Sequence, residues 1–366
     1  MAGRCRRLSV GPWGRDLMAA VDAFLLDCDG VLWDGPRAIG GAAEVLRSLK
    51  ERGKRVFLVS NNCSRSREEV AGKLEAWGLA AGPGQVYTTG RCSALYLRRA
   101  FAGPRRPKVY VLGSRALAAE LRAAGLWVSG PGEEELPVSR CALDPEVGAV
   151  LVGYDERFSF VRLAKACSYL QDPRCHFVAT DPDPWHPVSA VAGSKPSNLG
   201  DEDKEPRGPL TCTVRPVCQD GTCPESKEFW YMTTNASTIT SAISFRTLGC
   251  ISSGPGTGSL TAAVEAASGR KAKVIGKPSR FMFDCINEME AGTPLDPART
   301  LMIGDRLDTD ILFGANCGLR TVLTLTGVST LQQAHDNLAS ELPERRRMVP
   351  NFYVDSIKDF LPLLAS

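Results

Sequence analysis

Short apolar runs alternate with amphipathic segments along most of the chain. Apolar runs of this length are typical of buried strands, and the longer segments have the period of a helix. In the first part of the chain, the pattern predicts strands over residues 23–27 and 55–60 and helices over residues 42–52 and 65–78. This alternation of strand and helix predicts an α/β protein with a parallel sheet.

The same alternation returns in the last third of the chain. It predicts strands over residues 273–276, 300–304 and 320–325, with helices over residues 279–290 and 308–317. We interpret the two blocks as the two halves of one doubly wound, Rossmann-like core.

A second α/β stretch separates these two blocks. Its pattern predicts strands over residues 108–112, 149–153 and 176–180, with helices over residues 117–124 and 160–170. We interpret this stretch as an inserted α/β cap domain, and one continuous large sheet is the alternative.

A stretch without periodicity follows the predicted cap. It is rich in Ser, Thr, Pro and charged residues, which favours a disordered insertion over residues 194–253. A retained intron and a regulatory loop are the two explanations for it. The predicted order is a first core half over 1–105, a cap over 106–193, the insertion, and a second core half over 254–366.

The composition limits the possible classes of protein. Hydrophobic residues make up 43% and charged residues 23% of the chain, as in ordinary soluble globular proteins. A net charge of +3 does not favour nucleic acid or an anionic membrane as the partner, and no apolar stretch reaches the length of a spanning helix. Thirteen scattered cysteines without a secretory signal favour reduced thiols in a cytoplasmic protein.

Two carboxylates follow the first predicted strand directly. Asp27 and Asp29 precede Gly30, so both are expected at the carboxyl end of a central strand, where ligands bind in such folds. One carboxylate can attack phosphorus, while the other protonates the leaving oxygen and later activates water. Mg²⁺ would suit these oxygen ligands. A surface turn or a calcium loop is the alternative for this motif alone.

A second acidic cluster follows the predicted strand over residues 300–304. Asp305 is expected to complete a metal site with Asp27 and a backbone carbonyl of Asp29, and Asp310 to orient ligands or hold a neighbouring lysine from behind. Asp308 is expected to cap the following helix. Two acidic clusters at strand ends are much rarer than one, so a surface turn is a poorer explanation of each cluster.

Polar residues end two further predicted strands. Ser60, Asn61 and Asn62 follow residues 55–59 and can form a phosphate cradle, although Ser or Asn in this place also caps helices. Lys277 follows the strand over residues 273–276 and supplies the permanent cation that a phosphoryl transition state needs.

Four motifs in this order resemble those of the haloacid dehalogenase phosphatases that carry a large α/β cap. The motifs are Asp27-Cys28-Asp29-Gly30, Ser60-Asn61-Asn62, Gly276-Lys277-Pro278-Ser279 and the run from Gly304 to Asp310. The resemblance implies Mg²⁺-dependent hydrolysis of small phosphate monoesters through an aspartyl-phosphate intermediate, and a homodimer formed through the cap.

The resemblance also implies a role for each residue of the motifs. Asp27 would be the nucleophile and Asp29 the general acid and base. The implied Mg²⁺ ligands are Asp27, Asp29 and Asp305. The implied phosphate contacts are Ser60, Asn61, Asn62 and Lys277.

Two sister groups of animal enzymes in this family fit different parts of the chain. Residues 94–98, 110–114 and 348–356 resemble the group that acts on 2-phosphoglycolate and glycerol 3-phosphate. Residues 180–187, which include His186, and Tyr154 resemble the group that acts on pyridoxal 5'-phosphate. A phenol and an imidazole can hold a flat pyridine ring. We expect the first group, since more of the chain agrees with it. For His186, the alternative is a purely structural role in ordering a cap loop.

Two other functions and one regulatory hypothesis stay open from the sequence. A protein phosphatase is disfavoured by the large cap, and a binding protein with a disabled cap is disfavoured by the complete set of motifs. Cys28 either fills space between the two aspartates or acts as a redox switch, and the neighbouring negative charge opposes its reactivity.

Overall fold

The computed structural model describes residues 5–79, 81–103, 107–130, 142–187, 253–290 and 292–365. These residues belong to one compact unit, which comprises Met1–Pro187 and Ser253–Ser366. The expected disordered insertion over residues 194–253 lies, apart from Ser253, outside the described residues. Among the helices of the described ranges, none has the length and apolar composition needed to span a lipid bilayer.

The strands in chain order are β1 (Arg6–Arg7), β2 (Ala23–Leu26), β3 (Trp33–Asp34), β4 (Arg37–Ala38), β5 (Arg55–Ser60), β6 (Val86–Thr88), β7 (Lys108–Leu112), β8 (Trp127–Ser129), β9 (Val147–Val152), β10 (His176–Ala179), β11 (Trp185–Pro187), β12 (Ser253–Pro255), β13 (Lys273–Val274), β14 (Thr300–Gly304), β15 (Arg320–Thr324) and β16 (Phe352–Val354). The helices are α1 (Pro12–Ala20), α2 (Ala42–Glu51), α3 (Arg67–Ala76), α4 (Thr89–Ala100), α5 (Arg115–Ala123), α6 (Phe160–Tyr169), α7 (Thr257–Ser268), α8 (Phe281–Met289), α9 (Leu312–Cys317), α10 (Leu331–Ala339), α11 (Pro343–Arg347) and α12 (Leu361–Ala365).

The first sheet contains the strands of both ends of the chain. Its order is β1-β16-β15-β14-β2-β5-β6, and every neighbouring pair is parallel. Strand β2 lies between β14 and β5, with Leu26 opposite Ile303 on one side and Leu58 on the other. The carboxyl ends of these three strands therefore meet at one edge of the sheet, as the doubly wound core requires.

The second sheet contains the strands between the two blocks and one strand from the later block. Its order is β13-β10-β9-β7-β8, again parallel throughout. The described strands of the two regions form two separate sheets, so the alternative of one continuous large sheet is wrong. The strand expected at residues 273–276 as part of the core pairs instead with β10 of this second sheet, which corrects that expectation. Helix α7 lies on the connection from β10 to β13, and β13 lies beside β10 in this sheet.

A shared apolar layer joins the two sheets. It includes Phe57 and Val59 from the first sheet, Val109 and Leu151 from the second, and Phe283 from α8. All five side chains are at most 3% exposed. Burying each contributes roughly 1.5–3 kcal/mol to folding, so the two sheets are packed against a common core.

The bounds of several predicted elements need small corrections. The helix expected over residues 308–317 begins earlier, with a π-helical turn at Leu307–Ile311 that continues into α9. Asp308 therefore lies within the first turn, where it accepts hydrogen bonds from the Arg306 guanidinium instead of capping the helix. The strands over 55–60, 108–112 and 300–304 have the predicted bounds.

Candidate active site

Asp27 lies at the carboxyl end of β2, in the centre of the first sheet. Its backbone N–H donates to the Ile303 carbonyl at 2.9 Å, and Asp27 is only 8% exposed to solvent. Gly30 follows with φ at 79°, and a Cβ there would lie 2.6 Å from Oδ2 of Asp305. A glycine is therefore needed for the loop after β2 to pass close to the end of β14.

Lys277 joins two of the acidic residues through one buried ammonium group. Its Nζ lies 2.6 Å from Oδ1 of Asp27 and 2.7 Å from Oδ1 of Asp310, and it also donates to the Val59 carbonyl at 2.8 Å. Burial opposes the charge of Lys277, but the two aspartates outweigh burial and raise the pKa of the ammonium well above its usual value. Lys277 is therefore a permanent cation at this strand end.

Three buried carboxylates, two of which contact this cation, lie close together. Asp27, Asp305 and Asp310 each have an oxygen within 4.8 Å of the others. Burial and the charge of Asp310 raise the pKa of Asp305 to about 7. Burial also raises the pKa of Asp27 well above its usual value, although Lys277 acts in the opposite direction. The buried carboxylates therefore repel one another, and Lys277 offsets only part of that repulsion.

This donor set fits a divalent metal ion. Hard oxygen ligands from carboxylates are those that Mg²⁺ and Ca²⁺ take in proteins, and a second positive charge would offset the remaining repulsion. Oδ2 of Asp305 already accepts the Val328 backbone N–H at 2.7 Å, which fixes that carboxylate in place. Oδ2 of Asp310 accepts hydrogen bonds from the backbone N–H groups of Asp305 and Arg306 at 3.2 and 3.0 Å. Asp310 therefore holds both the loop after β14 and the Lys277 ammonium in place.

The Asp29 side chain lies apart from this group. It is exposed, and its Oδ1 accepts a hydrogen bond from the Trp33 indole at 2.7 Å. The group of three carboxylates in the described ranges includes Asp310 and not the side chain of Asp29. The expectation for Asp29 as a metal ligand concerned its backbone carbonyl, so the position of the carboxylate does not bear on it.

Ser60, Asn61 and Asn62 lie at the carboxyl end of β5, beside Asp27. Oγ of Ser60 accepts the Asn62 backbone N–H at 3.1 Å, and Oδ1 of Asn62 accepts from the backbone and hydroxyl of Ser64. The Asn61 amide instead bonds to Lys277, with Nδ2 donating to its carbonyl at 3.0 Å and Oδ1 accepting its N–H at 2.9 Å. Asn61 thus holds the lysine loop in place.

The two residues expected to contact the substrate from the cap follow strands of the second sheet. Tyr154 comes after β9, where its backbone N–H donates to the Cys63 sulfur and its hydroxyl lies 3.2 Å from Oε1 of Glu156. His186 lies in β11 and pairs through its backbone with Gly254. The side chain of His186 lies outside the described part of the structure.

The structure adds three charged residues that the sequence did not single out. Asp181 and Asp183 follow β10, and Nη1 of Arg306 lies 3.7 Å from Oδ1 of Asp183. The Arg306 guanidinium also lies over the Trp185 ring, 5.5 Å from its centroid. Burial raises the pKa of Asp181 to about 7, with the nearby Asp183 acting in the same direction. The position of both aspartates directly after a predicted strand was the signal that could have identified them.

Cys28 lies between the two aspartates of the first motif and is completely buried. Burial, and then the charges of Asp27 and Asp29, raise the pKa of its thiol well above the usual value. The thiol is therefore protonated near neutral pH and has the low reactivity expected from its neighbours.

Comparison with known families places this site in a family of hydrolases. Residues 24–127 match the haloacid dehalogenase-like hydrolase family, and residues 274–360 match a second family described as HAD-hydrolase-like. The two matches contain all four motifs. The chain therefore belongs to the haloacid dehalogenase-like hydrolases and is a phosphatase of that family.

The relatives that match over nearly the full length of the chain include two kinds of enzyme. The chain is 43% identical to glycerol-3-phosphate phosphatase from Homo sapiens, with 99% of this chain and 96% of the relative covered. It is 44% identical to chronophin from Mus musculus, with 98% of each covered. Among solved structures, a p-nitrophenyl phosphatase from Archaeoglobus fulgidus has the same fold, with a TM-score of 0.63, 24% identity, and coverage of 93% of this chain and 98% of that one.

Proposed function

We propose that this chain hydrolyses small phosphate monoesters through an aspartyl-phosphate on Asp27, with glycerol 3-phosphate and 2-phosphoglycolate as its substrates. The observation that carries the proposal is the contact of one buried lysine with two strand-end carboxylates, Asp27 and Asp310. A lysine held in this way can offset the charge of a phosphoryl group beside the nucleophile.

In the proposed reaction, each of the two motif aspartates has one role in each half. A carboxylate oxygen of Asp27 forms a bond to phosphorus while the bond to the ester oxygen breaks, and protonated Asp29 gives its proton to that oxygen. Asp29, now ionised, then takes a proton from a water molecule that attacks the phosphorus of the aspartyl-phosphate, and the bond between phosphorus and the Asp27 oxygen breaks. Inorganic phosphate leaves, and both aspartates return to their starting states.

The remaining residues of the motifs bind and orient the phosphate. We assign Lys277, Ser60 and Asn62 to direct phosphate contacts at the carboxyl ends of their strands. Asn61 was expected among these contacts, and its amide contacts favour an action through the Lys277 backbone.

We propose Mg²⁺ as the metal, held by Asp27, Asp305 and the backbone carbonyl of Asp29. The three buried carboxylates, together with the raised pKa values of Asp27 and Asp305, support a divalent cation with oxygen ligands. The ion would offset negative charge on the transferring phosphoryl group. Asp310 then serves Lys277 and the loop backbone from behind.

A second candidate substrate is pyridoxal 5'-phosphate. Tyr154 is half-buried after β9, next to the loop that contains Cys63, and this position favours a ring contact from the second sheet. The identities to the two kinds of relative, 43% and 44%, do not favour either substrate.

Turnover of a small panel of esters tests the proposal. The panel comprises glycerol 3-phosphate, 2-phosphoglycolate, pyridoxal 5'-phosphate, p-nitrophenyl phosphate and a phosphopeptide, each with Mg²⁺ and with a chelator. We expect the first two to have the highest kcat/KM and Asp27→Asn to abolish turnover while leaving the unfolding transition intact. Preference for pyridoxal 5'-phosphate would select the second candidate, and full activity of Asp27→Asn would contradict the mechanism.

We also propose a cytoplasmic homodimer that forms through the second sheet. The eight cysteines in the described ranges are free, which fits a reducing compartment. Among the described strands, β8 is at one edge of the second sheet, and Trp127 on it is 62% exposed, which favours a contact there. Sedimentation of wild type and Trp127→Glu would test the contact, and an unchanged dimer would exclude this edge.

A further inference from the structure

Trp33 connects the apolar core to the side chain of Asp29. Its indole is 4% exposed, and Nε1 donates to Oδ1 of Asp29 at 2.7 Å. A buried indole N–H normally finds a hydrogen-bond partner, and here the partner is the residue to which the proposed reaction assigns proton transfer. The contact therefore fixes one oxygen of an otherwise exposed carboxylate.

The backbone holds Trp33 firmly in relation to the nucleophile loop. The Trp33 N–H donates to the Cys28 carbonyl at 3.2 Å, and the Trp33 carbonyl accepts the Gly30 N–H at 2.7 Å. Trp33 then begins the hairpin of β3 and β4, in which it pairs with Ala38. Since these bonds close the loop from Cys28 to Trp33, the indole and the Asp29 carboxylate have little freedom to separate.

A cation and a second ring fix the indole plane. Nζ of Lys73 lies 4.2 Å from the centroid of the Trp33 ring and 4.7 Å from that of Trp77, and it donates to the Gly35 carbonyl at 3.2 Å. The two indoles lie 5.9 Å apart at 53°. Cation–π and aromatic contacts of this kind restrict the orientation of a ring.

We propose that Trp33 is a positioning residue that aims the Asp29 carboxylate at the leaving oxygen of the phosphate ester. The proposal rests on the proposed function, because it needs Asp29 to be the general acid. The bond changes are those of the first half-reaction: the Asp27 oxygen bonds to phosphorus, the ester bond breaks, and the Asp29 proton moves to the leaving oxygen.

The leaving group separates this role from a merely structural one. p-Nitrophenolate leaves as a stable anion, whereas the alkoxide of glycerol 3-phosphate or pyridoxal 5'-phosphate needs a proton as it leaves. The quantity to measure is kcat/KM, because it reports the steps up to loss of the leaving group. A misaimed Asp29 should reduce kcat/KM for an alkyl ester far more than for the aryl ester.

The variant is Trp33→Phe, which keeps an aromatic ring and removes the N–H donor. We expect kcat/KM to fall about 10- to 100-fold on the alkyl ester that wild type hydrolyses best and less than about 3-fold on p-nitrophenyl phosphate. Trp77→Phe is the matched control, since Trp77 contacts the same lysine and the hydrogen bond to Asp29 comes from Trp33. It should change kcat/KM only slightly, and equally for the two esters.

Two further measurements keep the proposal falsifiable if Trp33→Phe unfolds. Replacement of the Trp33 side chain by 3-benzothienylalanine keeps the shape of the indole without its N–H and should give the same split between esters. In an Asp29→Asn background, Trp33→Phe should cause no additional loss on the alkyl ester, because the two residues act in one step.

Equal losses on both ester classes, or additive losses in the double variant, would overturn the role of Trp33. A wild-type protein that hydrolyses none of the esters would instead contradict the proposed function, so the two failures can be told apart.

Discussion

The Asn61 side chain and the Lys277 backbone form a reciprocal pair of hydrogen bonds across 216 residues of sequence. The amide oxygen accepts the Lys277 N–H at 2.9 Å, and the amide nitrogen donates to the Lys277 carbonyl at 3.0 Å. Both atoms of the lysine backbone therefore depend on one side chain from another strand. This pair holds the ammonium group of Lys277 at its place between Asp27 and Asp310.

Asn61→Ala should destabilise the protein and slow turnover together. The change leaves a buried N–H and a buried carbonyl without partners, which costs on the order of 2 kcal/mol. Urea unfolding and kcat/KM would measure the two effects. Asn62→Ala is the control for stability, because the Asn62 side chain bonds within its own turn, to Ser64. Equal stability of the two variants would contradict the bracing role of Asn61.

Mg²⁺ should stabilise wild type and have no such effect on Asp305→Asn. A ligand at 100 times its Kd raises the free energy of unfolding by about 2.7 kcal/mol, so thermal unfolding with and without Mg²⁺ gives a direct readout. Asp308→Asn is the matched control, since Asp308 lies three residues further on and contacts Arg306 instead of the carboxylate group. A thermal shift that persists in Asp305→Asn would remove Asp305 from the metal site.

Asp181→Asn should stabilise the protein at pH 8 and much less at pH 4.5. Burial, and then Asp183, raise the pKa of Asp181 from 3.8 to about 7 in the folded protein. The folded state therefore keeps a proton that the unfolded state has lost, and stability falls as the pH rises towards 7. Asparagine does not ionise, so the variant avoids a loss on the order of 4 kcal/mol above pH 7.

Thermal unfolding across this pH range would check the Asp181 prediction. Asp172→Asn is the control, because Arg174 lowers the pKa of the exposed Asp172 and its loss should bring no gain at high pH. The same gain for Asp181→Asn at pH 4.5 and pH 8 would show that its effect does not come from ionisation.

Gly30→Ala should abolish activity through contact with Asp305. The added Cβ would lie 2.6 Å from Oδ2 of Asp305 in a backbone conformation with φ at 79°. Gly78→Ala provides the control, since its φ is 68° and its Cβ would meet nothing within 4 Å. Backbone strain should lower the free energy of unfolding of both variants by about 1–3 kcal/mol. Only Gly30→Ala should also lower kcat, by more than about 100-fold. Normal turnover by Gly30→Ala would contradict the close approach.

The sequence predicted the strand ends well because parallel strands present their carboxyl ends at one edge of a sheet. Asp27, Ser60 and Asp305 each follow an apolar run, and all three runs are neighbouring strands of the first sheet. The strand before Lys277 was also recognised, but its sheet was not. A two-residue strand with an exposed lysine has no apolar pattern that could distinguish between two partner sheets.

The sequence did not predict the contacts between parts of the site that are distant along the chain. The bond between Asn61 and Lys277 and the approach of Arg306 to Asp183 depend on how the two sheets meet, which local periodicity does not record. The Trp33 bond to Asp29 is local, yet a tryptophan four residues after an aspartate is usually a packing residue. Its donor role became visible only from the direction of the indole.

The origin of Lys277 sets a rule for exchanging parts between relatives. The lysine follows a strand of the second sheet, whereas Asp27, the proposed nucleophile that it contacts, follows a strand of the first. A chimaera that takes the second sheet up to β13 from another phosphatase therefore also takes the lysine that contacts Asp27, and the backbone of that lysine must fit the recipient's Asn61. Evolution of new substrate ranges by replacement of this sheet is subject to the same restriction.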